Sequence, residues 1–106
     1  MNMTAPFDIF MAGPITGVHD YKQRFAIAYT QLRNEFFVKN GRVGSVWNPA
    51  MMPDGRSNEW YMRRCVDAMF ESPDCVVALL NGWEGSKGAR AEHALAVSLG
   101  RAIVIV

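Results

Sequence analysis

The chain is predicted to fold as one α/β domain over residues 1–106, a three-layer α/β/α arrangement with a mostly parallel sheet. Three observations predict it. Strand-like and helical stretches alternate along the whole chain, the pattern of parallel strands joined by right-handed helical crossovers. The strand-like runs are apolar throughout instead of alternating with polar residues, as expected where helices cover both faces. A chain of 106 residues that is 50% hydrophobic is also large enough for one real core. There are no internal repeats, low-complexity segments or linkers.

Phe7–Ala12 reads as a buried strand that ends in the tight loop Gly13-Pro14-Ile15-Thr16-Gly17. Asp20 is placed to cap a long helix running to about Lys39, with Phe25, Ala28, Tyr29, Leu32 and Phe36 on one face and Gly41 closing it. Val43–Trp47 is a second strand, stopped by Asn48-Pro49. Residues 50–57 form a loop with a Pro53-Asp54-Gly55 turn. Ser57 or Asn58 caps a second helix carrying Tyr61, Cys65, Ala68 and Met69 on one side. Pro73 breaks it, and Asp74–Leu80 is the third strand. After a glycine-rich loop, a helix over about Lys87–Leu99 ends at Gly100, and Ala102–Val106 is the last strand.

Composition narrows the function. A net charge of +1 with dispersed basic residues, only Arg63-Arg64 being adjacent, argues against polymeric nucleic acid as a partner. A single nucleoside or nucleotide remains a fitting ligand. Cys65 and Cys75 have no metal-like spacing with either histidine, so they read as buried free thiols of a reducing compartment, and neither a metal nor a cofactor is expected. No apolar run approaches the roughly 20 residues of a membrane span, and the N-terminus lacks a signal pattern. A cytoplasmic protein with no membrane partner is the expectation.

The chemistry-bearing stretch is Asn81–Ala96, NGWEGSKGARAEHALA. It leads from the third strand through Gly82, Gly85 and Gly88 into an alanine-rich helix. Ser86 and Lys87 stand where a helix start presents free N–H groups and partial positive charge. Glu92 lies one turn further on. Ligands in such sheets bind where loops leave the C-terminal strand ends, and Gly13–Gly17, Trp47-Asn48-Pro49 and Asn81–Gly88 all fall there. Glu92 reads as a nucleophile or base beside that loop, or as an ordinary solvated glutamate of a first helical turn. His93 points about 100° away and reads as structural or rim-lining. Asp67 is the best-placed second carboxylate for protonating a leaving group, or the partner of Arg63 or Arg64 in a helical ion pair. Of Trp47, Trp60 and Trp83, one at most is expected to stack on a ligand.

Four blocks together resemble the nucleoside 2-deoxyribosyltransferase superfamily: Phe10–Gly17, Asn48-Pro49, Tyr61–Arg64 and Gly82–Ala94. The best correspondence is with a small, functionally undefined branch related to the 2'-deoxynucleoside 5'-monophosphate N-glycosidases. The resemblance covers essentially the whole chain, and its last block is the most specific. It implies a Rossmann-like, flavodoxin-type sheet, a homodimer or larger assembly, and cleavage of the N-glycosidic bond of 2'-deoxynucleosides or their 5'-monophosphates. It also implies Glu92 as nucleophile and Asp67 as second carboxylate. Ser86 matches the phosphate-binding serine. The other residues implied to bind substrate are Gly13, Pro14, Ile15, Thr16, Gly17, Asn48, Gly82, Trp83 and Gly88. Thr16 stands where the monophosphate hydrolases carry an arginine. The reading from another class is a non-catalytic module that binds a nucleotide or nucleotide-derived signal, since this fold serves both uses.

Overall fold

The computed structural model describes residues 4–106. Its elements are β1 (Ile9–Ala12), α1 (Tyr21–Asn40), β2 (Val46–Trp47), α2 (Asn58–Phe70), β3 (Val76–Leu79), α3 (Lys87–Ser98) and β4 (Ala102–Ile105), with short 3-10 turns at Pro49–Met51 and Trp83–Gly85. The four strands form one sheet in the order β2-β1-β3-β4, and every pairing is parallel. This is the expected three-layer α/β/α, Rossmann-like architecture. α1 covers one face through Phe25, Ala28 and Leu32, which pack on Ile9, Met11 and Ala78. α2 and α3 cover the other through Cys65, Ala68, Met69 and Ala96, which pack on Phe10, Ala12, Val77 and Leu79. Successive residues of β1 therefore enter opposite halves of the core, and all four are buried.

The strand order reverses direction between β1 and β3. The loops after these two strands part to opposite sides of the sheet there, which opens a crevice at their carboxyl ends. Local chemistry holds the loops in place. A Cβ on Gly13 would sit 2.8 Å from Leu80 Cβ, so only glycine lets the first loop lie against β3. Gly82 turns the second loop with a φ of +87°, a conformation other residues rarely adopt. Ser57 and Ser86 cap α2 and α3, their hydroxyl oxygens accepting from Trp60 N at 3.1 Å and Ala89 N at 3.2 Å.

Three local expectations are corrected. Asp20 occupies the cap position of α1 but makes no side-chain cap; its carboxylate instead pairs with Arg24 Nε at 3.0 Å. β2 is only two residues long, because Asp8 captures the chain just before it. Arg42 grips the Asp8 carboxylate with two nitrogens at 2.9 and 3.1 Å, and Ser45 N donates to it at 2.8 Å. The Arg42 guanidinium accordingly holds the Asp8 carboxyl below its usual value. Finally, β4 is apolar but not enclosed: Val104 is 42% and Ile105 67% exposed. Three helices do not extend over the fourth strand.

Candidate functional site

The crevice is a cleft of about 1120 Å³. Its walls come from the loop after β1, the start of α1, the segment after β2, the first half of α2, the loop after β3 and the first turns of α3. Of the expected site residues, Gly13, Pro14, Ile15, Thr16, Gly82, Ser86, Gly88 and Glu92 all line it. Two loops and one helix start thus converge as the glycine spacing predicts.

Glu92 dominates the chemistry. It is 7% exposed, and its Oε2 is fully buried with no hydrogen-bond partner. Burying an ionised carboxylate without compensation is costly, so the neutral form is favoured. Desolvation raises the carboxyl from 4.5 to about 7, opposed in part by the Cys65 thiol beside it. Glu92 is therefore poised between its two protonation states near neutrality, as suits a group that must attack or exchange a proton. Cys65 is itself 6% exposed. Burial first, and the Glu92 charge second, push its thiol well above its ordinary range. The thiol lines the cleft beside the carboxylate and stays protonated.

Asp67, expected as the second carboxylate, is not brought into the cleft. It is exposed on α2 and is not among the residues that line the cavity. Two residues along a helix turn the side chain through about 200°, so a cleft-facing Cys65 sends Asp67 the other way. Three other expected positions also lie outside the lining. Gly17 carries a φ of +79° at the turn that leads away from the loop. Asn48 is buried and its Oδ1 accepts from Ala50 N at 3.1 Å, closing the 3-10 turn after β2. Trp83 packs its ring 4.6 Å from that of His93, outside the cleft lining. None of the three tryptophans lines the cleft.

The cleft also contains groups the sequence reading did not assign: Tyr21 and Arg24 on α1, Asp54, and Asn58, Glu59, Tyr61, Met62 and Cys65 on α2. Asn58, Met62 and Cys65 recur at four and three residues, a stripe whose spacing was the available signal. The Tyr61 hydroxyl donates to Pro53 O at 2.8 Å and accepts from Arg56 N at 3.1 Å, fixing the 53–57 loop at the rim. Among the described residues no group of three His, Cys, Asp or Glu side chains is placed to hold a metal ion, and no helix is long and apolar enough to cross a membrane.

Comparison with known families places the chain. It belongs to the family described as a domain of unknown function (DUF4406), whose profile matches residues 7–105. No curated protein and no solved structure matches it.

Proposed function

From the resemblance of four sequence blocks to the nucleoside 2-deoxyribosyltransferase superfamily and the chemistry of the cleft, we propose that it cleaves the N-glycosidic bond of 2'-deoxynucleosides or their 5'-monophosphates, by hydrolysis or by transfer to a second base. The observation that carries the reading is Glu92, a buried carboxylate with an unpartnered oxygen inside the cleft at the sheet's switch point. A fold that only needed packing there would hold a neutral side chain at lower cost. Ionised Glu92 attacks the anomeric carbon C1' and forms a glycosyl ester, which water or an acceptor base then resolves. The close parallel is the nucleophilic carboxylate of retaining glycosidases. The Gly13–Thr16 loop lines the sugar. The free N–H groups at the start of α3 suit a 5'-phosphate, and the Ser86 hydroxyl, which accepts from Ala89 N, still has its proton to donate to one.

The test is a screen of deoxynucleosides and their 5'-monophosphates for free-base release, with and without an acceptor base, run on the wild type and on Glu92→Gln. Release by the wild type should fall by at least about a hundredfold in the variant, the scale on which loss of a positioned catalytic group is felt. A new nucleoside formed only with acceptor identifies a transferase. Because attack requires the ionised carboxylate, kcat/KM should rise with pH through a limb centred near the Glu92 value of about 7. Release that is indifferent to Glu92→Gln contradicts the proposal.

One observation favours the second reading, a nucleotide-binding module: the acid expected beside Glu92 lies outside the cleft. A module of that kind keeps its ligand in Glu92→Gln and releases no base in either protein. The homodimer or larger assembly implied by the family resemblance, and a cytoplasmic location, belong to the same proposal; the exposed apolar residues of β4 offer surface for such an assembly to bury.

A further inference from the structure

The surroundings of Glu92 narrow the substrate class, on the premise that the glycosidase reading holds. When the C1'–N bond of a neutral nucleoside breaks, its electron pair moves onto the base, which departs as an anion unless an acid protonates it. That assistance is worth about 10²–10⁴-fold. Within this chain no carboxylate is buried against Glu92: it is the one acidic residue that is buried among those described, and Asp67 is exposed outside the cleft. Cys65, buried in the same cleft, has a thiol pushed up by burial that keeps its proton. The cleft's other carboxylates, Asp54 and Glu59, stand on exposed residues at the rim. Asp54 lies 3.6 Å from Lys22, whereas Glu59 has no ion pair among the described residues. Met52, Tyr61 and Met62 line the same cleft. Of the cations that also line the cleft, Arg24 is paired with Asp20 at 3.0 Å and Lys87 stands at the start of α3, on the side proposed for the phosphate; the polarisable, partly aromatic residues with the acidic groups Asp54 and Glu59 complement a flat organic cation.

We propose that the favoured substrates are cationic N-glycosides, nucleosides or their 5'-monophosphates whose base joins C1' through a positively charged ring nitrogen, as in N7-alkylated purines or pyridinium rings. Glu92 attacks C1', the C1'–N bond breaks, and its electron pair neutralises the ring, which leaves as a neutral base needing no proton. Water then displaces the Glu92 carboxylate from C1' and releases one proton. The sum is cationic nucleotide plus water giving sugar phosphate, neutral base and a proton.

The experiment compares 2'-deoxyguanosine 5'-monophosphate with its N7-methyl derivative on the wild type, Glu92→Gln and Glu59→Gln, with spontaneous base loss subtracted. An enzyme that protonates N7 gains nothing from a methyl group there, so the pair isolates the missing acid. The expected result is a kcat/KM at least about a hundredfold higher for the methylated nucleotide, the lower end of what a general acid supplies. Its cleavage should be abolished in Glu92→Gln, and Glu59→Gln should weaken its use chiefly through KM. Comparable cleavage of both nucleotides, with Glu59→Gln abolishing that of the unmethylated one, overturns the proposal and places the acid at the rim, while the glycosidase reading stands. Release of neither base by the wild type overturns both.

Discussion

At the residue scale, Glu92 links stability to function through one proton. Its folded value of about 7 lies above the 4.5 of an unperturbed carboxyl, so the folded state binds the proton more tightly than the unfolded chain. The stabilisation is fully present below pH 4.5 and is lost as pH rises to about 7, where it reaches a floor. The shift corresponds to about 3 kcal/mol. Glu92→Gln cannot ionise, and other titrating groups cancel in the comparison. Denaturant unfolding should therefore show the variant gaining on the wild type between pH 5 and 8 on the order of that amount. A stability difference that is flat across this range would mean that Glu92 is solvated and not held in the cleft. Much of this site was legible in advance: glycine spacing and a serine at a helix start located the loops, and Glu92 followed by position. Asp67 was not, because an error of two residues in helical phase, about 200°, exchanges the cleft for the solvent side. Cys65 reads from sequence as an inert buried thiol, because its spacing from Asn58 and Met62 shows a shared face of α2 but not that this face opens on the cleft.

At the scale of elements, the site depends on strands whose ends are fixed by polar groups. Ser72, fully buried between α2 and β3, accepts from Phe7 N at 2.8 Å and ties the entry of β1 to the entry of β3. Ser72→Ala leaves that N–H buried without a partner and should cost about 1–3 kcal/mol in equilibrium unfolding. A loss within experimental error would show that water or a backbone shift replaces the bond. The apolar runs located all four strands, yet the length of β2 was not readable. It is set by a contact between Asp8 and the Arg42–Ser45 stretch, more than thirty residues apart in the chain. Asp20 makes the same point for caps. An acid at the right position is only a candidate until its neighbour Arg24, one turn along, is taken into account.

At the scale of the whole molecule, the order β2-β1-β3-β4 puts the switch point between the two strands whose loops carry glycine and the chemistry. Alternating helices and apolar strands were enough to predict that sheet, but its coverage was overestimated, since β4 leaves Val104 and Ile105 open. If the proposed assembly uses that edge, sedimentation should give a dimer or larger species for the wild type and a smaller one for Ile105→Lys. A wild type that sediments as a monomer removes assembly from the account. The central claim, however, is covalent. The most direct measurement is denaturing mass spectrometry of protein quenched during turnover of a deoxynucleotide, followed by peptide mapping. The account predicts a deoxyribosyl phosphate adduct on the peptide that contains Glu92, absent in Glu92→Gln. Base release with no adduct on that peptide at any quench time would contradict it.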